Sequence, residues 1–94
     1  MTIIYDTVTN SNYIEIVPIK VQYDDKNSAT RLNAIIVSDN LLDTVVFQFK
    51  LMDENFTVYK TKVVTMSDAD YYNWTGDNQT VYNYILTNEK LTAI

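Results

Sequence analysis

Acidic side chains fall in close pairs at three places: Asp24 with Asp25, Asp53 with Glu54, and Asp68 with Asp70. Paired carboxylates do two kinds of chemistry. They hold a hard cation, which takes six or more converging oxygens, or they act as acid and base in glycoside hydrolysis, which takes a cleft between them. The spacing of an EF-hand loop is absent, and each pair stands among turn formers. Solvated turns and helix caps use the same carboxylates, and that is the preferred reading of all three pairs.

The remaining catalytic repertoire is thin. The chain has no His and no Cys, so it lacks the usual general base near neutral pH, a thiol nucleophile and thiolate metal ligands. Its Ser residues have no His partner, and no spacing suggests a Ser–Lys pair. A single Gly, Gly76, rules out a Gly-rich phosphate loop. The expectation is a protein that is not an enzyme, with no catalytic residue, no metal site, no cofactor and no small-molecule substrate.

Seven Lys and Arg against 12 Asp and Glu give a net charge of −5. That balance argues against non-specific attraction to nucleic acid or to an anionic membrane. The start, Met1-Thr2-Ile3-Ile4-Tyr5-Asp6, has neither the basic nor the apolar region of a secretory leader. The longest aliphatic run, Ala34-Ile35-Ile36-Val37, is far short of a membrane span. Synthesis in the cytoplasm as a soluble protein is expected. Three glycosylation-type triplets begin at Asn55, Asn73 and Asn78. With Asn and Thr so abundant and no leader, they are read as chance.

Eight Tyr, three Phe and one Trp make the chain rich in aromatics. Tyr71, Tyr72 and Trp74 form a cluster that could serve as a ligand platform or an interface anchor. For Trp74 the preferred reading is a plug folded over one end of the core. The Tyr surplus points to interfaces, since a small core cannot give that many hydroxyls buried partners.

These residues must be positioned by a single small domain of 94 residues, β in residues 1–66 and helical in 67–94. Strands are expected over 2–8, 13–23, 31–37, 43–52 and 56–66. The fourth is the clearest, with Val45, Phe47, Phe49 and Leu51 alternating against Val46, Gln48, Lys50 and Met52. In the second strand the apolar parity switches at Pro18, which predicts a bulged edge strand or one crossing between sheets. In the fifth, Lys60 and Lys62 share a parity with Val58 and Val64, so the buried face is open. These lysines could meet an acidic partner or simply guard a solvated edge.

Ser67-Asp68-Ala69-Asp70 has the S-x-x-D form of a capping box, which predicts a short helical turn ended by Gly76. Asp77 then caps a helix over about 78–88. The fold class expected is mainly β, a small antiparallel sandwich or open barrel of about five strands with a C-terminal helical segment. Without disulfides or metals, a domain this small has reason to oligomerise.

The stretch from Asp70 through Tyr71, Tyr72, Trp74, Asp77 and Val81 to Tyr84-Ile85 resembles the end of many small virion structural proteins of tailed bacteriophages. Trp74, Asp77 and the Tyr84-Ile85 pair match that pattern, while Asn78 stands where it has a second Asp. The resemblance implies a component of the tail, neck or head-to-tail region, present in symmetric copies. Its partners would be itself and other virion proteins, and its location the virion. Tyr71, Tyr72 and Trp74 are then the expected anchor region and Pro18 marks the expected exposed edge. Two alternatives stand beside this reading: an acidic DNA mimic that inhibits a host nuclease, and a carbohydrate-binding module using exposed aromatics.

Overall fold

A computed structural model of the chain describes residues 1–20, 28–74 and 76–94. The Asp24/Asp25 pair, residues 21–23 of the expected second strand and Thr75 lie outside these residues. The elements are β1 (Ile4–Asp6), β2 (Ser11–Lys20), β3 (Ser28–Asp39), β4 (Thr44–Met52), β5 (Val58–Ser67), α1 (Ala69–Trp74) and α2 (Asn78–Glu89). The five strands form one antiparallel sheet in sequence order, β1-β2-β3-β4-β5. The chain is mainly β, with five antiparallel strands and a C-terminal helical segment. The layer facing the sheet is made by α1 and α2, which take the place a second sheet would have in a sandwich.

The core follows from the alternation in β4. Val45, Phe47, Phe49 and Leu51 all point to one face and are buried, as are Ile14 and Ile16 of β2, Leu32 of β3 and Met66 of β5. Trp74 of α1 and Val81, Tyr82, Ile85 and Leu86 of α2 close over them. Each such side chain contributes about 1.5–3 kcal/mol on full burial. Ladder partners of β4 match this parity on both sides, with Phe47 opposite Ile36 and Val64, and Val45 opposite Met66.

The same register resolves β5. Lys60 and Lys62 stand opposite Leu51 and Phe49, so they lie on the helix side of the sheet. One residue, Tyr59, is extra between Lys60 and Val58, which breaks the parity that the sequence suggests for Val58. The ammonium groups of Lys60 and Lys62 reach Glu89 of α2 at 3.4 and 2.9 Å. The acidic partner of these lysines is therefore within the chain. Partial burial works to raise the Glu89 carboxyl, but the hydrogen bond and charge of Lys62, with Lys60 behind, outweigh it and its pKa is lowered.

Pro18 sits inside a register shift between Glu15 and Ile19, the bulge expected there. The edge is confined to the end of β2 that holds Pro18, because the rest of β2 runs between β1 or the C-terminal tail and β3. Its outer side pairs with β1 at residues 11–13 and then with the C-terminal tail. The Val17 N–H donates to Thr92 O at 2.8 Å, the Ile94 N–H donates to Glu15 O at 3.1 Å, and Ile16 bridges to Ala93. Among the described residues, only the outer side of residues 18–20 has no strand beside it.

Ser67 is also corrected. It is the last ladder residue of β5, opposite Thr44, and the turn into α1 is made by Asp68 at φ 52°. Gly76 takes the left-handed conformation expected of it, φ 79°, between the two helices. Asp77 caps α2 by accepting from the Gln79 N–H at 3.1 Å. The helix ends at Lys90 in the left-handed region, with the Lys90 N–H donating to Thr87 O and the Leu91 N–H to Leu86 O, a Schellman arrangement.

Candidate interaction surface

The expected anchors divide. Trp74 is only 7% exposed and meets Phe47 edge-on at 5.4 Å and 89°, so it is the plug of the core rather than a surface anchor. Tyr71 is half-buried, and its hydroxyl donates to Asp39 Oδ1 at 2.8 Å. That hydrogen bond, followed by desolvation, raises its pKa. Tyr72 lies edge-on to Tyr71 at 5.7 Å and is 62% exposed, the one ring of the cluster that faces solvent. Pro18 is exposed, away from this cluster, beside Thr30 and Ile94.

Asp39 ties this aromatic group to the loop between β3 and β4. Its Oδ1 also accepts from the Leu41 N–H at 2.8 Å. Asn40 Oδ1 accepts from the N–H groups of Leu42, Asp43 and Thr44 at 2.9, 3.0 and 3.0 Å, and Asn40 Nδ2 donates to Asp43 Oδ1. The Asp68 N–H donates to Asp43 O, which anchors the loop to the start of α1. Hydrogen bonds from Asn40 and then Thr44 lower the Asp43 pKa. Side-chain acceptors thus satisfy the backbone of the turn, and the loop has a fixed shape. What that shape presents is apolar: Leu41 is 84% exposed and Leu42 68%. Leu41 stands at φ 60°, a region that costs a non-Gly residue about 1–2 kcal/mol.

The loop between β4 and β5 makes a comparison within one molecule. Asp53 accepts there from the Asn55 and Thr57 N–H groups and from the Tyr59 hydroxyl, the last of these being the main cause of its lowered pKa. Phe56 sits at φ 62°, nearly the same strained conformation as Leu41. Its ring has partners, however. Arg31 lies over it at 5.0 Å and over Tyr13 at 4.5 Å, and Phe56 meets Tyr13 edge-on at 6.0 Å. These contacts offset the backbone cost at Phe56. At Leu41 the equivalent cost carries a side chain into solvent.

Next to this tip, Ile35, Ile36 and Val37 of β3 are all about half exposed. Ile35 and Ile36 line a cleft of about 270 Å³ between β3 and the start of α2, together with Phe47, Val81 and Tyr82. The sequence places this aliphatic run in the expected third strand and excludes a membrane span, but assigns it no contact surface. Its failure to alternate was the available signal, because a strand covered on one face should show polar residues at every second position. Leu41 and Leu42 gave a weaker one: two large aliphatics inside an Asp-Asn-x-x-Asp turn.

The acids are engaged locally. Asp39, Asp43, Asp53 and Asp77 all accept hydrogen bonds from nearby donors in turns and caps. Among the described residues, no three His, Cys, Asp or Glu side chains gather as metal ligands, and no helix is long and apolar enough to cross a membrane. No protein-family description matches the chain, and neither the curated proteins nor the solved structures provide a match.

Proposed function

We propose that the chain is a non-enzymatic structural component of a tailed-phage virion, in its tail, neck or head-to-tail region, acting by protein–protein contact in a symmetric assembly. The observation that carries the contact reading is the pair of hairpin tips. Both hold a large apolar residue at positive φ, but Phe56 is packed on Arg31 and Tyr13 while Leu41 is 84% exposed. A fixed loop that spends backbone strain to display two leucines makes physical sense when a second surface covers them. The phage context rests on the resemblance of the C-terminal stretch.

The alternatives draw less support. A DNA mimic needs an ordered row of free carboxylates, whereas here those of Asp39, Asp43, Asp53 and Asp77 are engaged in turns and caps. A carbohydrate platform built on Trp74 would need its ring exposed, and it is 7% exposed. Mass spectrometry of purified particles tests the proposal. The chain should be recovered in a fixed ratio to other virion proteins after stringent washing. Its absence from such particles would overturn the virion assignment.

A further inference from the structure

The pairing of β3 changes along its length. On one side it is matched to β4 through to Asp39 opposite Val45, with Val37 bulged between Ile36 and Ser38. On the other it is matched to β2 only from Ser28 to Leu32, which stands opposite Ile14. Beyond that point β2 leaves to pair with β1. The Asn33 side-chain amide donates to Asn12 O across the gap, and the Ala34 N–H donates to the Tyr82 hydroxyl at 3.3 Å. A side chain from α2 thus takes the bond a neighbouring strand would have made. Strand alternation turns the N–H and C=O of Ile36 to the same side as those of Ala34. Among the described residues, no strand lies beside residues 35–39 on that side.

Open strand edges attract other strands, and proteins usually guard them with Lys, Pro or brevity. The other edges of this sheet follow that rule. Terminal strand β5 carries Lys60 and Lys62, the free stretch of β2 carries Pro18 and Lys20, and β1 has three residues. Residues 33–38, Asn-Ala-Ile-Ile-Val-Ser, contain no charge and no Pro, and the bulge at Val37 is the one guarding device they carry.

We propose that residues 35–39 of β3 pair antiparallel with the same residues of a second copy, joining two sheets across a two-fold axis near Ile36 and Val37. This deepens the assembly reading given above and rests on it. A second copy suits the edge for three reasons. Asp39 is the one charge in the segment and, with the axis at Val37, stands opposite the other copy's Ile35, so no like charges face one another despite the chain's net charge of −5. β-branched side chains at Ile35, Ile36 and Val37 make good cross-strand partners for themselves.

The third reason is area. Together with Leu41 and Leu42, these side chains expose on the order of 300–400 Å² of aliphatic surface per copy. With the ladder backbone added, two copies offer up to roughly 1,000 Å² for burial, the lower bound for a specific interface. Antiparallel counting then uses the hairpin tip. With the axis at Val37, Leu41 of one copy stands opposite the partner's Asn33, at the mouth of the cleft beside α2.

The absence of Cys makes the test clean. Ile35→Cys, Ile36→Cys and Val37→Cys are made singly and oxidised at micromolar protein, beside sedimentation velocity of the unaltered chain. Opposed antiparallel residues have Cα atoms about 4.5–5.5 Å apart, within disulfide range, while a residue one step off the axis is too far from its own copy. The expected result is a concentration-dependent dimer and one dominant disulfide-forming position. Ile36→Lys, which guards the edge, should weaken dimerisation tenfold or more while leaving the folded circular dichroism spectrum intact. Val37→Lys serves the same purpose if Ile36→Lys fails to fold. A chain that stays monomeric at 100 µM would overturn the inference, even if it were recovered from particles. So would a dimer whose disulfides form equally at all three positions, or cross-linking at this edge to a different polypeptide only.

Discussion

Replacing Leu41 and Phe56 by Gly, one at a time, should move stability in opposite directions although the two residues share a backbone conformation, φ 60° and 62°. Gly relieves about 1–2 kcal/mol of left-handed strain at either position. It also gives back about 0.4–1 kcal/mol through greater freedom of the unfolded chain. Leu41 is 84% exposed, so its removal forfeits little packing, and Leu41→Gly should stabilise by about 0.5 kcal/mol. Phe56→Gly loses the edge contact with Tyr13, about 0.5–1.5 kcal/mol, and the Arg31 stacking, about 0.5–1 kcal/mol. Loss of its partial burial comes on top, so the net effect is a destabilisation of about 1–2 kcal/mol.

Urea unfolding followed by the fluorescence of the single Trp, Trp74, measures both, at sub-micromolar protein so that self-association does not contribute. With a slope near 1 kcal/mol per molar urea, the midpoints should rise by about half a molar and fall by one to two molar. Destabilisation by Leu41→Gly of about 1 kcal/mol or more would show that Leu41 is held inside its own chain, and the display argument would fail.

Other outcomes follow from the same structure. Tyr82→Phe removes the acceptor of the Ala34 N–H and should cost about 1 kcal/mol, read by thermal unfolding. Because Lys60 and Lys62 are 42% and 48% exposed, Glu89→Gln should cost under about 1 kcal/mol and less still at high salt. Asp43 and Asp53 have lowered pKa values in the fold. Their contribution is therefore complete above the ordinary Asp value and is lost as pH falls below about 4. Amide exchange at Leu42, Thr44, Asn55 and Thr57 should accelerate there before the amides of β4 respond. Tyr82 is shifted upward by burial, offset in part by the Ala34 N–H, so stability should decline above pH of about 10 as it is driven to ionise.

Parts of the fold were legible because local pattern and tertiary environment agree. β4 alternates from Thr44 to Leu51 because one of its faces packs into the core, and Asp77 and Gly76 punctuate α2 by purely local chemistry. Ser67 misled because a capping pattern and a ladder position compete for the same residue, and pairing with Thr44 prevails. Lys60 and Lys62 could not be assigned from β5 alone, for their face is set by the register with β4 and their partner lies 27 or more residues away on α2. Pro18 lies at an open edge, but most of that side of β2 is closed by three C-terminal residues, too few to signal a strand. The apolar tip escaped notice because a leucine at positive φ violates the turn preferences by which loops are read. Of the expected anchor cluster, only Tyr72 is mostly exposed; the larger apolar surface is aliphatic.

Contact with another polypeptide at the β3–β4 end is the central claim, and site-specific photo-cross-linking tests it most directly. A photoreactive residue is placed at Leu41, with a control at Asn83 on the exposed side of α2, and the protein is irradiated in the cells that produce it. The account predicts a covalent adduct to a second copy or to another virion polypeptide at Leu41, and little or none at Asn83. Equal labelling at the two positions, or no polypeptide adduct at Leu41, would contradict it.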